Sequence, residues 1–126
     1  MAQKITLKSI FKVSGFIKSL KIAFKGIAYL FIFHRNMRLI FILGILAFLL
    51  GLYLKLKGIE LAALCITITL VFMAEIFNSA IELMMNILTE EYHVRIRLVK
   101  DIAAGIVVLT CLNAIAVGYI LFLRKL

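Results

Sequence analysis

Polar and apolar positions follow three different patterns along this chain. From residue 4 to 33, lysines recur about every fourth position. Lys4, Lys8, Lys12, Lys18, Lys21 and Lys25 occupy about half of a helical wheel, and Ile5, Phe11, Phe16, Leu20, Phe24 and Ile27 fill much of the rest. This predicts an amphipathic helix over 4–33, with a break at Ser14-Gly15, lying in a membrane interface with its lysines among lipid headgroups. The second pattern is the unbroken apolar run. Leu39–Leu54 carries no charge, and Arg38 and Lys55 at its ends lengthen this short span (39–54) by snorkelling. Gly44 and Gly51, seven apart, predict a face that packs closely on a neighbour. Lys55-Leu56-Lys57-Gly58 reads as a tight connection. A last helix over 94–123 contains the uncharged stretch Ile102–Leu123 and is closed by Arg124 and Lys125.

The third pattern lies between these spans, in a helix predicted over 59–88. It begins as an uninterrupted apolar run from Leu61 to Ala74 and then acquires Glu75, Asn78, Ser79, Glu82 and Asn86. At 100° and 1.5 Å per residue, these five share one face, a stripe roughly 100° wide and about 16 Å long. Ile76, Phe77, Ile81, Leu83 and Met84 cover the other faces. A helix of this length spans about 45 Å, more than the hydrocarbon core, so its polar half emerges at the interface. Carboxylates on a membrane helix are costly and persist where they face a protein interior, a cavity or a substrate path. Their plainer reading is polar contacts that hold helices together. Thr89–His93 reads as the turn that follows.

Composition narrows the class. Hydrophobic residues make up 65% of 126 residues, and Pro and Trp are absent. Such a chain exposes too much apolar surface to be a water-soluble monomer. The expectation is an all-α membrane protein forming one membrane domain over 1–126. So short a chain encloses a site poorly, which points to a homo-oligomer. The net charge of +9 would suggest nucleic acid in a soluble protein. Here the basic residues flank apolar segments, so anionic lipid is the expected partner and nucleic acid is not. Up to Arg38 there are eight Lys or Arg, and Arg95, Arg97 and Lys100 join them on one side, against Lys55, Lys57, Arg124 and Lys125 on the other. That asymmetry predicts an inner (cytoplasmic) membrane protein with a cytoplasmic N-terminus, and it puts the acidic half of the second span at the cytoplasmic surface. The lysines interrupt any continuous signal-peptide core. Cys65 and Cys111 lie singly in apolar helices, without disulfide or metal spacing.

The sequence has no glycine-rich phosphate loop, no HExxH and no Ser/His/Asp or Cys/His set. The remaining chemistry is the stripe, the polar turn and Lys100-Asp101. This set suits phosphoryl transfer, which asks for positioning and charge neutralisation rather than covalent help. One carboxylate can hold Mg²⁺ against nucleotide phosphates while a second takes a proton from the attacking hydroxyl. Glu75, nearest the bilayer, is placed for a lipid hydroxyl. Glu82, two turns nearer the cytoplasm, is placed for nucleotide.

Glu75, Asn78, Ser79, Ala80 and Glu82, followed by Lys100-Asp101, resemble the ExxN[ST]AxExxxD and KD motifs of the prokaryotic integral-membrane diacylglycerol kinase and undecaprenol kinase family. Ala23-Phe24-Lys25-Gly26-Ile27 is similar to that family's A-x-x-G-[IL] stretch, and the resemblance runs from about residue 16 to 123. It implies an N-terminal interface helix plus three transmembrane helices in a homotrimer with sites shared between subunits. It also implies ATP with Mg²⁺, and a membrane lipid alcohol, diacylglycerol or undecaprenol, as acceptor. Under it Glu75 is the catalytic base and Glu82 holds the metal that bridges ATP. Asn86, Glu91, Tyr92, His93, Lys100 and Asp101 would contact ATP together with Glu82, and Asn78, Ser79 and Arg38 the lipid.

Two positions depart from the family pattern. His34 stands where a metal-binding glutamate is usual, and imidazole suits Zn²⁺ or Mn²⁺ better than Mg²⁺. The plainer reading of His34 is an imidazole at headgroup level. Asn86 stands where the stripe usually ends in aspartate. These departures define an alternative: a divergent, catalytically altered relative that binds lipid or nucleotide, or acts on another membrane substrate. A small ion-coupled transporter is the third class that intramembrane glutamates allow.

Overall fold

The computed structural model describes the backbone of residues 2–88 and 94–125, with side chains from residue 14 onward. Four helices follow one another: α1 (Ala2–Phe33), α2 (Arg35–Tyr53), α3 (Ile59–Leu88) and α4 (Val94–Lys125). The last three are long and apolar enough to cross a membrane. The uncharged run Leu39–Leu54 lies mostly in α2, whose first turn also takes in the polar residues 35–38.

The break expected at Ser14-Gly15 is absent, and α1 is continuous. A single glycine costs a helix only about 1 kcal/mol relative to alanine, too little to interrupt a segment of good helix formers. The Ser19 hydroxyl donates back to the Gly15 carbonyl at 2.9 Å across this point. Every α1 side chain from Ser14 to Tyr29 is exposed, and Leu30 is the first to be buried, where α1 meets the bundle.

The turn between α1 and α2 is one residue long. His34 is extended (φ −113°, ψ 114°), and its side chain makes no capping hydrogen bond. Its backbone N–H still donates to the Leu30 carbonyl at 2.9 Å. An aromatic chain fixes the corner. Phe31 meets Phe41 edge-on at 4.9 Å, and Phe41 meets Phe72 at 5.8 Å, linking α1, α2 and α3. Such pairs contribute about 0.5–1.5 kcal/mol each beyond their buried area.

α2 ends in a Schellman motif. The Leu56 N–H donates to the Gly51 carbonyl at 3.0 Å and the Lys55 N–H to that of Leu52 at 3.1 Å. Lys55 takes the left-handed position at φ 64°, which glycine normally fills. The strain of about 1–2 kcal/mol is offset by Leu56, which is 2% exposed and packs with Leu64 and Leu121. Gly58, at φ 61°, then opens α3 through its carbonyl, which accepts from the Ala62 N–H at 3.0 Å.

α3 is the central helix, contacting all three others and α4 most extensively. Its buried residues are Leu64, Thr67, Ala74, Glu75 and Ser79, one face in 3.6-residue register. The close packing predicted from Gly44 and Gly51 is against this helix. A Cβ on Gly44 would lie 3.0 Å from Ile68 Cγ2, and one on Gly51 2.6 Å from Leu64 Cδ2. Leu64 is 3% exposed and has little room to yield. Gly51→Ala is therefore expected to destabilise the bundle by about 1–3 kcal/mol, the cost of overpacking. Gly15→Ala, where a Cβ meets nothing within 4 Å, serves as the control. Thermal melts in detergent check this, and equal midpoints for the two variants would contradict the packing described.

Candidate active site

The polar half of α3 divides by burial. Glu75 and Ser79 are 5% and 1% exposed, Asn78 is half-buried, and Glu82 and Asn86 are exposed. The first three therefore turn toward the protein. One turn separates Glu75 from Ser79, so the Ser79 hydroxyl can donate to the Glu75 carboxylate, and it does. The bond occupies part of the carboxylate's acceptor capacity and leaves the rest for a second donor. Asn78 Oδ1 is buried and has no hydrogen-bond partner. Leaving such an acceptor unsatisfied costs about 1–3 kcal/mol, which marks the place as one where a donor or a cation is wanted.

Two further groups act on Glu75 electrostatically: Glu82, two turns along the same helix, and His34, at the α1–α2 junction. The one-residue turn at His34 is what brings an imidazole from a distant segment beside the acidic stripe. The His34 ring is met edge-on by Tyr29 at 6.5 Å. Tyr29 was not among the residues expected from the sequence; an aromatic five residues before a histidine gives no signal until the helix is known to end between them.

The far end of the stripe is tied to α4. Lys100 Nζ donates to Asn86 Oδ1 at 3.2 Å. Ala103, 1% exposed and one turn beyond Lys100, seats α4 in the bundle. Asp101 and Arg38 are exposed. Glu91, Tyr92 and His93 lie outside the described residues. His34, Glu75, Ser79 and Glu82 are thus brought into one electrostatic group with Asn78 beside it, and Asn86 is paired with Lys100. Among the described residues, no three His, Cys, Asp or Glu side chains are close enough together to hold a metal ion. The oxygen-rich set of Glu82, Glu75 and the unpartnered Asn78 Oδ1 has the hard donor character that Mg²⁺ requires, whereas His34 does not.

These residues form a carboxylate face beside a polar helix end, in a bundle of membrane-length helices. The sequence profile of prokaryotic diacylglycerol kinase matches residues 21–122. A diacylglycerol kinase from Synechocystis sp. is 32% identical over 127 residues, an alignment that takes in 99% of this chain and 73% of that relative. The chain belongs to the prokaryotic diacylglycerol kinase family. As a member of the diacylglycerol kinase family it is a lipid kinase and a membrane protein. The matched region contains His34, Arg38, the whole stripe from Glu75 to Asn86, and Lys100-Asp101. Membership favours a kinase of the diacylglycerol type over an altered relative or a transporter.

Proposed function

We propose that this lipid kinase transfers the γ-phosphoryl group of ATP to the hydroxyl of diacylglycerol at the cytoplasmic face of the inner membrane, with Mg²⁺ as the metal. The observation that carries the reading is the burial of Glu75 on a membrane helix, held by Ser79 and next to an amide oxygen that lacks a partner.

The roles follow from position. Glu75 accepts the proton of the lipid hydroxyl as its oxygen forms a bond to the γ-phosphorus. The bond from that phosphorus to the β,γ-bridging oxygen breaks, and ADP leaves with the electron pair. Glu75 then releases its proton to water, so the products are lipid phosphate, ADP and one proton. Ser79 keeps the carboxylate oriented, and Asn78 Oδ1 lies beside it toward the lipid, with Arg38 at the headgroup side. Glu82 would hold the metal, with His34 nearby. A Mg²⁺ ion held there would supply charge neutralisation for the nucleotide phosphates. Lys100 lies against the phosphates, while Asp101, Glu91, Tyr92 and His93 contact the rest of the nucleotide, as the resemblance implies. α1 lies along the interface with the N-terminus cytoplasmic, and three copies assemble so that neighbouring subunits complete each site.

The test uses purified protein in lipid bilayers with γ-labelled ATP and either diacylglycerol or undecaprenol. Label is expected in phosphatidic acid with Mg²⁺ present. Label only in undecaprenyl phosphate would correct the acceptor. No labelled lipid with Mg²⁺, Mn²⁺ or Zn²⁺ would overturn the reading.

A further inference from the structure

We propose that Asn86 is a positioning residue, an uncharged tether that holds Lys100 at the stripe while leaving its ammonium charge available to nucleotide phosphates. This rests on the kinase reading in one respect: the anion that Lys100 serves is ATP.

Asn86 lies one turn beyond Glu82 on the same face of α3, and Lys100 lies in the second turn of α4. The two helices reach each other here through a 3.2 Å hydrogen bond from Lys100 Nζ to Asn86 Oδ1. Lysine is a point charge on a flexible four-carbon stem, so its ammonium has no fixed location unless something holds it. One acceptor suffices to hold it. The ammonium has three donors, and two remain for an incoming ligand.

The nature of the acceptor then matters. An amide oxygen accepts a hydrogen bond without neutralising the charge of its donor. A carboxylate in the same place would form a charge-assisted pair, shorter and stronger, which phosphate oxygens would have to displace. Other charges stand near. Glu82 is one turn back along α3, and Asp101 follows Lys100 but is turned about 100° from it around α4. A carboxylate at position 86 would add to these at hydrogen-bond distance from the ammonium.

In the sequence, asparagine at this position reads as a negative charge missing from the metal site. In the structure, the same change removes a competitor for Lys100. The two views make opposite predictions for Asn86→Asp. If a charge is missing, aspartate should improve nucleotide use. If asparagine is a neutral tether, aspartate should impair it.

The experiment compares the unaltered protein with N86D, K100A and N86D/K100A, each in bilayers and each checked for an unchanged oligomer by size exclusion. Two quantities are read: KM for ATP and kcat with diacylglycerol, and the affinity for the non-hydrolysable β,γ-methylene analogue of ATP without lipid acceptor. N86D is expected to raise KM for ATP and weaken the analogue by about fivefold, the scale of a half-exposed ion pair, with a smaller change in kcat. In the K100A background the same substitution should shift neither quantity by as much as twofold. A KM that falls or stays level in N86D would overturn the tether. So would a shift that persists in full without Lys100, since that belongs to general repulsion. If the unaltered protein phosphorylates no lipid, the kinase reading falls separately, and the analogue affinities still decide the tether. Equal analogue affinities, or none measurable, count against it.

Discussion

Replacing Glu75 with Gln is expected to abolish phosphoryl transfer, lowering kcat by about 10²–10⁴-fold, the range for a lost general base. Glutamine has the same shape, and its carbonyl oxygen can still accept the hydrogen bond that Ser79 gives to Glu75. The helix packing is therefore retained, and only the ability to take a proton is lost. Because Glu75 is buried, no water-exposed carboxylate stands in for it at the same place. KM for ATP should change little, since in this account the nucleotide meets the stripe two turns away. The measurement is the rate of labelled phosphatidic acid formation, with the thermal midpoint as a check on folding. A variant retaining more than a tenth of the unaltered rate would remove Glu75 from the role of base.

Replacing Glu82 with Gln should give a second large loss of a different kind. Glu82 is exposed on the same face as Glu75, and in the proposed reading it holds a metal shared with nucleotide. Loss of one electrostatic clamp on a transferring phosphoryl group costs about 10²–10³-fold in rate. Unlike the Glu75 variant, this one should recover part of its rate as Mg²⁺ or Mn²⁺ is raised well above the level that saturates the unaltered protein. A rate loss that no metal concentration moves would mean that Glu82 does not bind the metal.

Much of this was readable before any coordinates. The five polar residues of the stripe fall on one face because helical periodicity fixes azimuth on a single helix, and Glu75 and Ser79 are buried in accord with it. Gly44 and Gly51 announced close packing because a missing Cβ leaves room for a neighbour's side chains, here those of Ile68 and Leu64, although they could not say that α3 was the neighbour. The uninterrupted α1 was not legible, since glycine is a weak break in a helix otherwise free of breakers. The left-handed Lys55 was not legible either, because turn chemistry marks that conformation by glycine or asparagine and Leu56 burial overrides it here. The Lys100–Asn86 bond escaped for a further reason. It joins residues fourteen apart in the chain on two different helices, and periodicity within each helix does not set how one is rotated against the other. His34 beside Glu75 was placed by the one-residue turn, a length that the polar run 34–38 does not reveal.

The central claim is that lipid and nucleotide meet along the carboxylate stripe of α3, from the buried Glu75 to the exposed Glu82. The most direct measurement is photolabelling in bilayers with a diacylglycerol carrying a photoreactive acyl chain, followed by peptide mapping with and without excess unlabelled diacylglycerol. The account predicts that the competed label falls on the turn of α3 that carries Glu75, on residues such as Phe77 and Asn78. Competed label confined to the outer face of α4, at residues such as Leu109, Leu112 and Ile115, with none near Glu75, would contradict it.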